Sequence, residues 1–159
     1  TFSNTTTAAT TTRAVTLFLT PQDISPSSDY TVTGQPGGPF SPLGKSYTVF
    51  NGSPGITLKA NTTTPWANVV IGTTTGSSVS VSLGACASTN VSVVIITNGV
   101  GGANSLVAGN YGDVVSISNV TAGTLIDTRA ANLTVGGVFF CDDFCRVVHG
   151  MAHDVQYFV

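Results

Sequence analysis

Residues 1–20, TFSNTTTAATTTRAVTLFLT, contain no Gly or Pro, carry one charge at Arg13, and stop at Pro21. Seven of the first twelve are Thr, a β-branched type suited to the pleated backbone. Further on, Val15, Leu17 and Leu19 alternate with Ala14, Thr16, Phe18 and Thr20, so one face of an extended chain becomes apolar. The stretch therefore reads as one long strand. Chain ends fray unless something ties them down, so a strand here needs a sheet to join, either its own or that of the next copy of the protein.

The rest of the composition makes a β fold the natural host. Only 8% of the 159 residues are charged, against about a quarter in ordinary domains, and there is no Glu. Strong helix formers are scarce apart from Ala and a few Leu. With 25 Thr and 16 Ser, hydroxyls must supply most of the surface polarity. The length suits one domain, and the net charge of −2 offers no basic patch for nucleic acid or anionic lipid. Apolar runs such as Val93–Ile96 are far shorter than the ~18 residues of a membrane span. Thr and not Met at position 1 is what is expected of a chain processed in nature or prepared with its leader removed.

Outward from the tail, six of the seven prolines fall between Pro21 and Pro54. Residues 21–44 accordingly read as mostly loop, broken by a short strand at Tyr30–Thr33. Strands are then expected at Ser46–Phe50, Gly55–Lys59, Ala67–Ile71, Ser78–Leu83, Val91–Thr97, Val114–Ser118, Thr124–Thr128, Leu133–Phe140 and Val155–Val159. Their short, regular spacing predicts an all-β fold, a single immunoglobulin-like or pilin-like sandwich. Residues 1–20 form its extended N-terminal tail, a candidate donor strand, and residues 21–159 the sandwich domain. Val79, Val81 and Leu83 alternate with serines, the mark of a half-buried strand. Val91–Ile96 is continuously apolar, as in a central strand covered on both faces.

Asn-X-Ser/Thr sequons occur at Asn4, Asn51, Asn61, Asn90, Asn119 and Asn132. Chance at this composition gives between two and three, so the excess points to an N-glycosylated extracellular protein whose sugars solubilise it where charges do not.

Little chemistry is legible. Cys141, Cys145, His149 and His153 recur every four residues, which on a helix would align four soft ligands for zinc or copper. Gly136-Gly137 and Gly150 disfavour that helix, and along strands the four would spread over roughly 40 Å. No metal or cofactor is therefore expected. The plainer reading is a disulfide: Cys86 with Cys141 or Cys145, or the compact Cys141–Cys145 pair. Asp142-Asp143 reads as a turn. No triad or carboxylate pair suggests catalysis, and an enzyme is not expected. Trp66 reads as a core or sheet-edge anchor and not as a platform for sugar.

A Thr-rich β-prone tail, a single all-β domain, few charges and many sequons together resemble the subunits of archaeal thread filaments, glycosylated surface fibres. The resemblance lies in composition and layout across the whole chain. It implies a sandwich that lacks a strand and a homopolymer in which each tail completes the next subunit. Val15, Leu17 and Leu19 would then be donor anchors, unless they form the domain's own first strand and leave donation to the Thr/Ala segment. The competing readings are a monomeric adhesin or carbohydrate-binding sandwich, and a virion or surface-layer shell protein.

Overall fold

The computed structural model describes residues 2–3, 6–7, 10–12, 22–52 and 54–136. Thirteen strands follow in chain order: β1 (Phe2–Ser3), β2 (Thr10–Thr11), β3 (Gln22–Ser25), β4 (Tyr30–Gly34), β5 (Phe40–Ser41), β6 (Gly44–Asn51), β7 (Ile56–Asn61), β8 (Ala67–Ile71), β9 (Thr74–Gly76), β10 (Ser78–Leu83), β11 (Ala87–Ile95), β12 (Gly109–Asn119) and β13 (Thr124–Val135). A short 3-10 turn at Ala103–Ser105 is the one helical element among the described residues.

Eleven of these strands form two facing sheets, in the orders β3-β6-β11-β8-β9 and β10-β7-β12-β13-β4-β5, and β1 and β2 pair separately. Alternation drives this arrangement. Along β6, Tyr47 and Val49 turn inward between exposed Ser46, Thr48 and Phe50, and along β12 Val115 and Ile117 do the same. Their inner faces meet in one core, with Tyr30, Tyr47, Leu58, Ile117 and Leu133 wholly buried. The outer face of the first sheet carries cross-strand hydroxyl and amide pairs, Ser46 with Ser92 at 2.5 Å and Thr48 donating to Asn90 at 3.0 Å.

Taken in chain order, β3, β6, β8 and β11 make one sheet and β7, β12 and β13 the other, the seven-strand division of an immunoglobulin-type sandwich. The last of the seven positions is filled by the chain's own β13, twelve residues long, paired antiparallel to β12 and parallel to β4. The expected vacancy for a missing strand is thus absent from the described residues. Strand β3 starts at one pole, where Gln22 pairs with Asn51, and β13 ends at the opposite pole beside Gly34 and Gly109.

Several expectations need correction. Residues 2–11 do not form one unbroken strand: β1 and β2 pair with each other, Phe2 opposite Thr11, with Thr6-Thr7 in the turn between them. A two-stranded ribbon this short is marginal. The proline-rich region holds three strands, not one, because its prolines punctuate short edge segments. The Thr124–Thr128 and Leu133 segments merge into β13, since Arg129 and Ala131 face inward where a polar break was expected. β11 is indeed central in its sheet, but only Val91, Val93 and Ile95 are buried. Ser92 and Val94, on its other face, are half-buried. Trp66 is 3% exposed and sits in the core. The expected Val155–Val159 strand lies outside the described residues.

Candidate assembly edges

At each side of the sandwich a short run of chain passes from one sheet to the other. On one side β3 belongs to the first sheet and β4 to the second, with residues 26–29 crossing between them. On the other, β9 and β10 are separated by Ser77 alone and again lie in different sheets. The two edges differ sharply in chemistry.

Of the seven charged side chains among the described residues, five gather at the β3–β4 edge: Asp23, Asp29, Lys45, Asp127 and Arg129. Arg129, 6% exposed, points inward from β13. Its guanidinium donates to the Ile24 and Pro26 carbonyls, both at 3.3 Å, to the Thr128 carbonyl at 2.8 Å and to the Asp127 carboxylate at 2.5 Å. It lies over the Tyr47 ring, 5.7 Å from its centroid. The Ala130 N–H, just before β4 begins to cover β13, donates to the Asp29 carboxylate at 2.9 Å. Lys45 closes the crossing from the other sheet, donating to Ser28 Oγ and the Asp29 carbonyl. Inward charges, a proline and capped edge groups are the means by which sheets resist further pairing. This edge is sealed.

Two buried tyrosines complete it. Tyr30 donates to the Pro42 carbonyl at 2.8 Å, and burial together with neighbouring Tyr47 pushes its hydroxyl up to about 12. Burial also raises Tyr47, against the opposing effect of Arg129. Among the described residues the Tyr47 hydroxyl is the buried side-chain polar atom with no hydrogen-bond partner.

The β10 edge carries no charge, no proline and no break in register. Its sequence, SVSVSL, pairs with β7 from Ser78 opposite Asn61 to Leu83 opposite Ile56. The Thr62 N–H donates to the Ser77 carbonyl at 2.8 Å, which fixes the parity of the ladder. Positions Val79, Val81 and Leu83 exchange backbone bonds with β7, so the N–H and C=O groups of Ser78, Ser80 and Ser82 point away from the sheet. Those serines are exposed, while Val79 and Leu83 are already buried in the core at 3% and 6%. Lys59, opposite Ser80 on β7, is the nearest charge along the ladder.

Asp113 holds the loop that leaves β7. Its carboxylate, 6% exposed, accepts from the N–H and hydroxyl of both Thr63 and Thr64, and from the Val114 N–H. Burial alone would raise its pKa, but these hydrogen bonds outweigh burial and hold the group below the usual carboxylate range.

The residues singled out in the sequence are scattered. Val15, Leu17 and Leu19 lie outside the described residues, as do Asn4, Cys141, Cys145, His149 and His153. Cys86 is an exposed thiol without a disulfide partner among the described residues. No group of three or more His, Cys or Asp suited to a metal occurs among them. Asn90 and Asn132 are exposed and Asn61 is half-buried. Asn51 and Asn119 correct the reading of sequons as accessible acceptors. Asn51 is fully buried, and its amide nitrogen donates to the Pro54 and Gly84 carbonyls while its oxygen accepts from Gln22. Asn119 is 6% exposed, and its side-chain oxygen accepts from the Ala122 N–H in the turn before β13. No helix among the described residues is long and apolar enough to cross a membrane.

No protein-family model matches the chain, and no curated protein matches it. Among solved structures it is similar to the CooA pilin subunit from enterotoxigenic Escherichia coli, at 16% identity and a TM-score of 0.49, covering 72% of this chain and 98% of that one. It is also similar to a PapD-like domain of human CEP192, at 11% identity and a TM-score of 0.40, covering 82% and 98% respectively.

Proposed function

We propose that this chain is a structural, non-catalytic subunit of an extracellular filament, joined head to tail when the N-terminal segment of one copy adds as a strand to the next. The observation that carries the reading is the contrast between a sealed β3–β4 edge and a β10 edge left open among the described residues, on a sandwich that already supplies its own seven strands. Strand addition at an edge satisfies backbone groups along its whole length, and a donor-to-acceptor contact that does not close on itself propagates. The donor lies within residues 1–20. That segment precedes β3, whose start lies at the pole opposite the end of β13. Glycans at the exposed sequons complete the proposal, as solvating groups on a chain with few charges. Deleting residues 1–20 tests it: the expected product is a folded monomer by sedimentation, and fibres of normal appearance would overturn it.

A further inference from the structure

We infer that the acceptor is the outer edge of β10, residues Ser78–Leu83, and that its occupant is the Thr/Ala segment Thr1–Thr12 of a second copy, not the aliphatic stretch around Leu17. The inference rests on the reading of the protein as a strand-adding polymer and assigns both sides of its joint.

Three features single out β10. It is regular and uncharged over six residues, whereas charged side chains occupy the opposite edge. Its outward backbone groups belong to Ser78, Ser80 and Ser82, evenly spaced for a ladder. Its inward side chains already fill their places, with only Val81 half-buried, so an added strand finds little unfilled apolar space. That last feature selects the donor. Large aliphatics such as Val15, Leu17 and Leu19 need pockets, but a strand of Thr and Ala needs backbone partners and a shallow surface. Residues 1–12 contain no charge, Gly or Pro, and seven of them are Thr. Among the described residues their β1–β2 pairing joins two residues to two, and a six-residue edge offers a longer ladder in exchange.

Substituting Ser80 by proline tests the edge in the full-length chain. The Ser80 N–H points away from β7, so the S80P subunit retains its own ladder, checked by circular dichroism and thermal melting, but cannot accept a strand there. The expected result is loss of pelletable fibres from S80P and from a chain lacking residues 1–12, with S80T still forming fibres. A synthetic peptide of residues 1–12 should bind the shortened chain, and bind its S80P form at least about tenfold more weakly. Should the shortened chain fail to polymerise while S80P forms normal fibres, the β10 assignment falls and strand donation stands. Fibres from both variants would overturn both. Loss of fibres from S80P but not from the shortened chain would overturn Thr1–Thr12 as the donor and point to another copy's β10 as the occupant.

Discussion

The two sides of this sandwich solve the same geometric problem with opposite chemistry. At the β3–β4 crossing, Arg129, Asp29 and Lys45 take up backbone groups and fill the gap between sheets. At the β9–β10 crossing a single serine makes the turn and leaves an uncharged strand facing outward. In a chain with so few charges, five of the seven described ones lie on one side, where charge protects the edge from further pairing.

Removing the central group of the sealed side gives the largest expected effect. Arg129→Ala strands the Ile24 and Pro26 carbonyls, at about 1–3 kcal/mol for each, while the half-exposed Asp127 is left to solvent, and should destabilise by about 3–5 kcal/mol in urea unfolding. The newly open edge should also make the protein pair irregularly, visible as disordered aggregates by electron microscopy. On the open side the corresponding hold is Asp113. Asp113→Ala should cost about 2–3 kcal/mol, since it frees the donors of Thr63 and Thr64 next to β7. Because the folded pKa of Asp113 lies below its unfolded value, its contribution is complete above about pH 4 and lost as the pH falls through the folded value. Asp113→Asn should therefore flatten the acid side of a stability-against-pH curve.

Tyr30 gives the sealed edge an alkaline limit. The unfolded chain releases this proton near pH 10.0 and the folded chain only near 12, so stability should hold to about pH 10 and then fall by about 2–3 kcal/mol as the pH approaches 12. Tyr30→Phe should remove that fall, at a cost of about 1 kcal/mol for the bond to Pro42. The smallest change is expected for Tyr47→Phe. It deletes a buried hydroxyl that has no partner, and thermal melting should show wild-type or slightly higher stability.

How much of this was legible depends on whether a residue's neighbours in sequence decide its surroundings. The strand at Ser78–Leu83 matches its expected bounds because alternation alone defines it. The inward turn of Trp66 follows from its size. Arg129 gave no such signal, since its burial depends on carbonyls more than a hundred positions earlier. The one local hint was Asp127, two residues away and on the same strand face. The tail misled for a related reason: a run of β-branched residues states a preference for extended backbone but not where the chain reverses, and Thr6-Thr7 lacks the Gly or Asn that marks most tight turns. The open edge was invisible in sequence because it is defined by the lack of a second partner for β10 among the described residues.

If the chain is glycosylated as proposed, Asn51 imposes an order of events on it. Its side-chain nitrogen has two hydrogens, and both are committed when the pole closes around Pro54 and Gly84. A sugar attached there would leave one hydrogen for two carbonyls and no room for itself, so modification and closure at this site exclude each other. A transferase that met the emerging chain first would trap it with that pole unformed. A chain that folded first would hide the site for good. On a chain glycosylated as proposed above, a mature sandwich is one in which closure came first at Asn51, and peptide mapping of its occupancy in folded and discarded chains would give the timing of folding relative to glycosylation.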